Sequence, residues 1–345
     1  MIKKGLAGAI ALLLLLLPLT TGCNARREGD GLKIVCTVFP LYDWVKNIVG
    51  EHDAVEVSLL VKDGTDLHSY QPSAADMVSI SSCDLLVCLG GGSEGWVEDA
   101  LSRKPREGRT VLRLTEAEGV VLRQISDERL TEDCDEDCGE EHEHIHSHTG
   151  NETDEHIWLS LKNAQACTNA IAATLASLDE TKAEQYRANA AAYTASLQEM
   201  DQAYAAAVAE VSNPKLIFAD RFPFVYLTED YGVSYLAAFR GCTTDTDATP
   251  DTVIRLAKGL TDWNLSAVTV TESSDRALAQ GVLRTAGRNE DAILVMDSMQ
   301  SVTRKQIDEG TSYLAIMERN LSVFRQAITP YRINQDKKEE KLCHK

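Results

Sequence analysis

Four of the eight histidines alternate along one short stretch, His142-x-His144-x-His146-x-His148, interleaved with Glu141 and Glu143 and preceded by Cys134 and Cys138. Imidazole and thiolate are ligands that suit zinc, whereas a harder ion such as manganese takes more oxygen. Outside that stretch only His52, His68, His156 and His344 remain. His68 lies in the turn-rich segment Gly64 to Pro72, and His156 in Asp154 to Ser160, where a polar insertion meets a helix start. Asp220, Glu272 and Asp297 each fall at or just past the end of a predicted strand. Each residue alone has an ordinary explanation. A loop histidine is usually solvated, His156 could simply pack on Trp158, and an acid at a strand end commonly caps the next helix. Five such groups at equivalent ends point instead to a ligand site, because open α/β sheets gather ligands beyond the carboxyl ends of their strands.

The elements that must position these groups read as strands alternating with helices. Residues 32–37, 54–61, 83–89 and 110–114 are short, rich in Val, Ile and Leu, and bounded by turn residues. Helical stretches such as 41–49 and 74–81 lie between them. The alternation resumes after Pro214, with strands predicted at 215–219, 233–238, 266–271 and 292–296 and helices at 250–260, 275–286 and 312–327. Such a pattern predicts mostly parallel sheets covered by helices. Between the two halves, Tyr186, Ala190, Tyr193, Leu197, Met200, Tyr204, Ala207 and Val211 recur at the spacing of one helix face. Thr181 with Glu184 fits a capping box, and Asn213-Pro214 ends the helix. The expected α/β architecture is a first lobe over 32–178, a rigid linker helix over 179–213 and a second lobe over 214–332, with a charged tail at 333–345. The stretch 130–155 is nearly devoid of apolar residues and reads as a disordered, acidic, histidine-rich loop.

The first 22 residues are set apart from the fold. Lys3 and Lys4, an apolar run from Leu12 to Leu17 and the small residues before Cys23 make a secretory signal. Cys23 after Gly22 looks like the acylated cysteine of a bacterial lipoprotein, with residues 23–31 as its tether; the expected location is the outer face of the cell membrane. Thr20 stands where that signal usually has Leu. The formal net charge of −19 becomes −21 without residues 1–22, a balance that disfavours nucleic acid and suits small cations. No later stretch is long and apolar enough to span a bilayer. Beyond the Cys134 and Cys138 pair, the remaining cysteines read as small buried residues or unassigned thiols.

Over residues 33–330 the chain resembles the metal-binding solute receptors of bacterial ABC importers for zinc and manganese. The resemblance rests on Gly64 to Pro72, Gly90 to Trp96, Asp154 to Leu159, Thr271-Glu272-Ser273 and Met296-Asp297-Ser298, in that order. It implies two α/β lobes joined by a rigid helix, with one transported metal between them. It further implies His68, His156 and Asp297 as ligands, with Glu272 a nearby acid that supports the site rather than binding. The family's remaining ligand position falls on Arg221, which cannot ligate a cation because it stays protonated. Asp220 is expected to substitute by a one-residue shift, with Arg221 turned away or paired to an acid; the alternative is that water completes the set. The histidine-rich loop (His142, His144, His146, His148) is similar to that of zinc-type members and implies weak additional zinc binding. The implied partners are a membrane permease and a Zn2+ ion, with Mn2+ as the alternative, and the chain is expected to be a monomer. A secreted zinc hydrolase is disfavoured by the lack of a His-Glu-x-x-His motif, and a surface adhesin by the lack of repeats or an exposed aromatic run; the reading is therefore of a binding protein and not an enzyme.

Overall fold

A computed structural model describes residues 31–103, 106–124, 153–241 and 248–331. The signal segment, Cys23, most of the tether, the histidine-rich stretch with Cys134 and Cys138, and the charged tail lie outside the described residues.

Eight strands form two four-stranded sheets, and every pairing within them is parallel. The first contains β1 (Leu32–Cys36), β2 (Val55–Leu59), β3 (Leu85–Cys88) and β4 (Thr110–Arg113) in the order β2-β1-β3-β4. The second contains β5 (Lys215–Phe222), β6 (Ser234–Arg240), β7 (Val268–Thr271) and β8 (Ile293–Met296) in the order β6-β5-β7-β8. Sheets covered on both faces need continuous apolar strands. Accordingly all four residues of β3 and all four of β7 are buried. In each sheet the winding reverses between the two central strands, so a crevice opens beyond the carboxyl ends of β1 and β3, and of β5 and β7.

The helices begin where short polar side chains can accept the first amides. Ser73 and Asp76 form a reciprocal capping box at α2 (Ala74–Ser82), which follows α1 (Phe39–Val49) and precedes α3 (Gly95–Arg103). Ser160 caps α4 (Leu161–Leu178). Helix α5 (Ala183–Ala209) is 27 residues long, about 40 Å at 1.5 Å per residue. Beyond it lie α6 (Val225–Tyr231), α7 (Pro250–Asp262), α8 (Ala277–Thr285), α9 (Arg304–Asp308) and α10 (Tyr313–Ile328).

The long helix differs from its expected span of 179–213 at both ends. Thr181 does not cap it. Asp179 accepts the Thr181 amide at 3.2 Å and its hydroxyl at 2.6 Å, opening a 3-10 turn over Glu180–Lys182 from which the helix continues. The acidic side chain takes the capping role two residues upstream, at a position where Asp outranks Thr. The buried stripe is otherwise close to the predicted face: Tyr186, Ala190, Tyr193, Leu197, Tyr204 and Ala207 are buried. The first half of α5 is fastened to the first sheet's helices, through Asn189 to the Ile48 carbonyl (2.9 Å) and Tyr193 to Asp43 (3.1 Å). Its second half is fastened to the second sheet's helices, through Tyr204 to the Met317 carbonyl (2.8 Å) and Asp201 to Tyr231 (2.7 Å). A single apolar core accordingly includes residues from both halves.

A second correction concerns the polar insertion. Residues 153–155, expected inside the disordered loop of 130–155, are fixed: Thr153 bridges Gln124 in antiparallel fashion, and the Asp154 amide donates to the Arg123 carbonyl at 2.9 Å. Asp154 is 1% exposed, and hydrogen bonds made by its main chain and Oδ1 offset the cost of burying it. Cys36, Cys83, Cys88 and Cys167 are buried free thiols. Burial pushes all four upward, Cys83 to about 11 and Cys167 to about 12, so they remain protonated and inert.

Candidate metal centre

The two imidazoles singled out in the sequence come together. The rings of His68 and His156 lie 5.6 Å apart, centroid to centroid, tilted by 54°. Each is set by an aspartate two positions upstream. Asp66 caps a 3-10 turn over Leu67–Ser69 by accepting the His68 amide at 2.8 Å, with Leu67 buried as the anchor and His68 exposed. Asp154 Oδ1 accepts the His156 amide at 2.8 Å and also lies 2.8 Å from His156 Nδ1. A carboxylate there favours the tautomer with the proton on Nδ1, which places the ring's lone pair on Nε2. His156 is 2% exposed and packs edge-on against Trp158, 5.1 Å between centroids. The repeated Asp-x-His pattern was a signal available in the sequence, and sequence reasoning passed over both aspartates.

The glycine-rich run after β3 holds this region in place. Glu155 accepts the Ser93 amide at 2.7 Å and the Ser93 hydroxyl. Its side chain lies so close over Gly91 that a Cβ there would sit 2.6 Å from Glu155 Cγ. Only glycine permits that approach. Next to it Glu94, 2% exposed, accepts the Gly90 amide at 2.9 Å, and burial pushes its carboxyl up to about 7.

In the second sheet the pairing of β5 with β6 slips between Phe218 and Arg221. Such an irregularity re-aims the side chains beside it. Asp220 turns toward β7, accepting the Thr271 amide at 3.2 Å and its hydroxyl at 2.5 Å, while its other oxygen accepts the Arg221 amide at 2.8 Å. Arg221 reaches across the cleft to Asp66, 3.2 Å away. Glu272 spends both oxygens on the turn after β8, accepting the Ser298 amide (2.7 Å), the Ser298 hydroxyl (2.9 Å) and the Ser301 hydroxyl (3.0 Å). That turn carries Asp297. Asn320 brackets the Asp297 peptide, accepting its N–H and donating to its carbonyl, both at 2.8 Å. Asp297 Oδ1 accepts the amide of Met299, which holds a left-handed φ of 64°. Burial, reinforced by the charge of Glu272, pushes the Asp297 carboxyl up to about 6.

The halves meet closely beside the imidazoles. The Trp158 indole donates to the Ser298 carbonyl at 2.9 Å, and Tyr313 donates to the Trp158 carbonyl at 2.7 Å. Among the described residues no group of three or more His, Cys, Asp or Glu side chains is arranged to hold a metal. His68 and His156 therefore stand as a pair, with Asp297 one residue from the Trp158 contact and not gathered with them. A cavity of about 320 Å³ opens alongside, lined by Asp66, Asp220, Arg221, Glu272, Ser298 and Ser301 among others. Its formal charge is acidic, which suits a cation. No helix among the described residues is long and apolar enough to cross a membrane.

Comparison with known proteins places this geometry in context. The family described as periplasmic zinc-uptake complex component A matches residues 34–327. The zinc-binding lipoprotein AdcA of Streptococcus pneumoniae is 29% identical over 88% of this chain, and the chain spans 57% of that relative's length. The high-affinity zinc uptake system protein ZnuA of Bacillus subtilis is 26% identical over 90% of this chain and 91% of its own. Among solved structures, the Zn(II)-bound ZnuA-like domain of S. pneumoniae AdcA is 26% identical and superposes with a TM-score of 0.67, covering 86% of this chain and 99% of that one.

Proposed function

This chain belongs to the family of periplasmic zinc-uptake complex component A, and from that premise we propose that it is a solute-binding receptor that captures a zinc ion between its two lobes and delivers it to an ABC permease. The observation that carries the reading is the imidazole pair of His68 and His156, the second held through Nδ1 by a buried carboxylate. That carboxylate–histidine arrangement is the one that orients and strengthens a metal-binding imidazole. Two nitrogen donors favour zinc over manganese. Asp297, one residue from the Trp158–Ser298 contact between the halves, is the carboxylate the second lobe would supply. Glu272 shapes the Ser298 turn and stays out of the coordination sphere. Asp220 already accepts three hydrogen bonds, which favours water over Asp220 as the fourth ligand. The receptor acts outside the cytoplasm as a monomer held by an acylated Cys23, with His142, His144, His146 and His148 as a weaker accessory zinc site. It binds and releases without catalysing a reaction.

The test is elemental analysis and metal titration of the chain without residues 1–22. One tightly bound zinc per chain is expected, with manganese weaker, and a His68→Ala/His156→Ala double variant should lose that ion. Full-strength binding by the double variant would rule the site out.

A further inference from the structure

We propose that Tyr226 is a positioning residue for metal binding, acting from the second lobe on His156 through Asp154; the proposal rests on His156 being a zinc ligand. Tyr226 belongs to α6 and is completely buried. Its hydroxyl donates to the Asp154 carbonyl at 2.7 Å and accepts the Arg123 amide at 3.1 Å. One hydroxyl thus fastens both strands of the stem, which are joined to each other by the Asp154 amide on the Arg123 carbonyl. Asp154 in turn meets both the amide and Nδ1 of His156 with a single oxygen. Tyr226, Asp154 and His156 are all at most 2% exposed, so water does not compete along this chain of contacts. Burial pushes the Tyr226 phenol up to about 12, so it keeps the proton it donates across the physiological range.

The neighbouring grips on α6 act elsewhere. The Arg123 guanidinium pairs with Asp230 at 2.8 Å, and the Ser160 hydroxyl donates to Asp230 at 2.5 Å. Those contacts hold the segments on either side of Asp154, while Tyr226 reaches the Asp154 main chain itself. The imidazole of the first half is thereby referenced to the lobe that carries Asp297.

The test compares zinc affinities, by competition with a chromophoric chelator, of the wild type and the Tyr226→Phe, Asp154→Asn and combined variants. Removing a direct partner of a metal-bound histidine costs about 10- to 100-fold in affinity. Losing one hydrogen bond a step further out should cost about three- to tenfold. Because both act through the same imidazole, the combined variant should bind only marginally worse than Asp154→Asn alone. Imidazole ¹⁵N resonances of the zinc-free protein should report Nδ1-protonated His156 in the wild type and a mixed tautomer population in Tyr226→Phe. Unchanged affinity in Tyr226→Phe, additive losses, or an unchanged tautomer would overturn the proposal while a zinc-blind His156→Ala left the zinc reading intact. Wild-type affinity in His156→Ala would overturn both. Should Tyr226→Phe fail to melt cooperatively, the wild type alone decides: a slowly exchanging Tyr226 hydroxyl proton that shifts on zinc addition supports the coupling, and one that does not shift refutes it.

Discussion

Asp43 gives the sharpest test of the energetics. It is 8% exposed where α1, α5 and α10 meet, and it accepts hydrogen bonds from Tyr193 (3.1 Å) and Asn47 (3.1 Å). Burial outweighs those bonds and raises its carboxyl from 3.8 to about 6. The folded chain therefore prefers the protonated form. The associated stability is fully present below pH 3.8 and is lost as pH rises through 6. At 1.36 kcal/mol per pH unit, the rise corresponds to about 3 kcal/mol. Roughly half of it falls between pH 5 and pH 7.5, since the group is already largely ionised in the unfolded chain at pH 5. Asp43→Asn keeps an acceptor for Tyr193 and abolishes the titration. Relative to the wild type, the variant should therefore gain stability, on the order of 1 kcal/mol, on going from pH 5 to pH 7.5. Urea unfolding at the two pH values, with a chelator present to remove any stabilisation by bound metal, measures that difference. A variant-minus-wild-type difference that is the same at both pH values would refute the reasoning.

Two further substitutions bear on the metal site. Asn320→Ala strips partners from both the N–H and the carbonyl of Asp297 and should cost about 2–4 kcal/mol in urea unfolding, with weaker zinc binding in the same protein. Gly91→Ala drives a methyl group into Glu155 and should cost about 1–3 kcal/mol; the loss of Glu155's hold on Ser93 should show as faster zinc dissociation in stopped flow.

The strands were legible because both sheets are covered on their two faces: Leu85–Cys88 is apolar at every position, and Val268–Thr271, which alternates Val with Thr, is β-branched and buried throughout. The long helix was legible because one stripe of aromatic and small residues packs against both halves. Its start was not, because Asp179 and Thr181 are both competent caps two residues apart and only the realised backbone decides between them. Helix α6 escaped notice because its first four residues, Val225 to Thr228, are all buried, which erases the periodicity that marks a half-exposed helix. At the site, the pairing of His68 with His156 followed from strand ends and motif order. The partner of Arg221 did not, since Asp66 is 155 positions away in sequence. Nor did the engagement of Asp220 with Thr271, which depends on a local slip of strand register.

The antiparallel contact between Gln124 and Thr153 means that the 28 residues between them depart and return at a single point. Doubling the length of such an excursion costs only about 0.6 kcal/mol in closure entropy. The histidine-bearing stretch is thus a cassette: evolution, or an engineer, can extend, trim or exchange it while the doorway it passes through stays bolted to Tyr226 and Asp230.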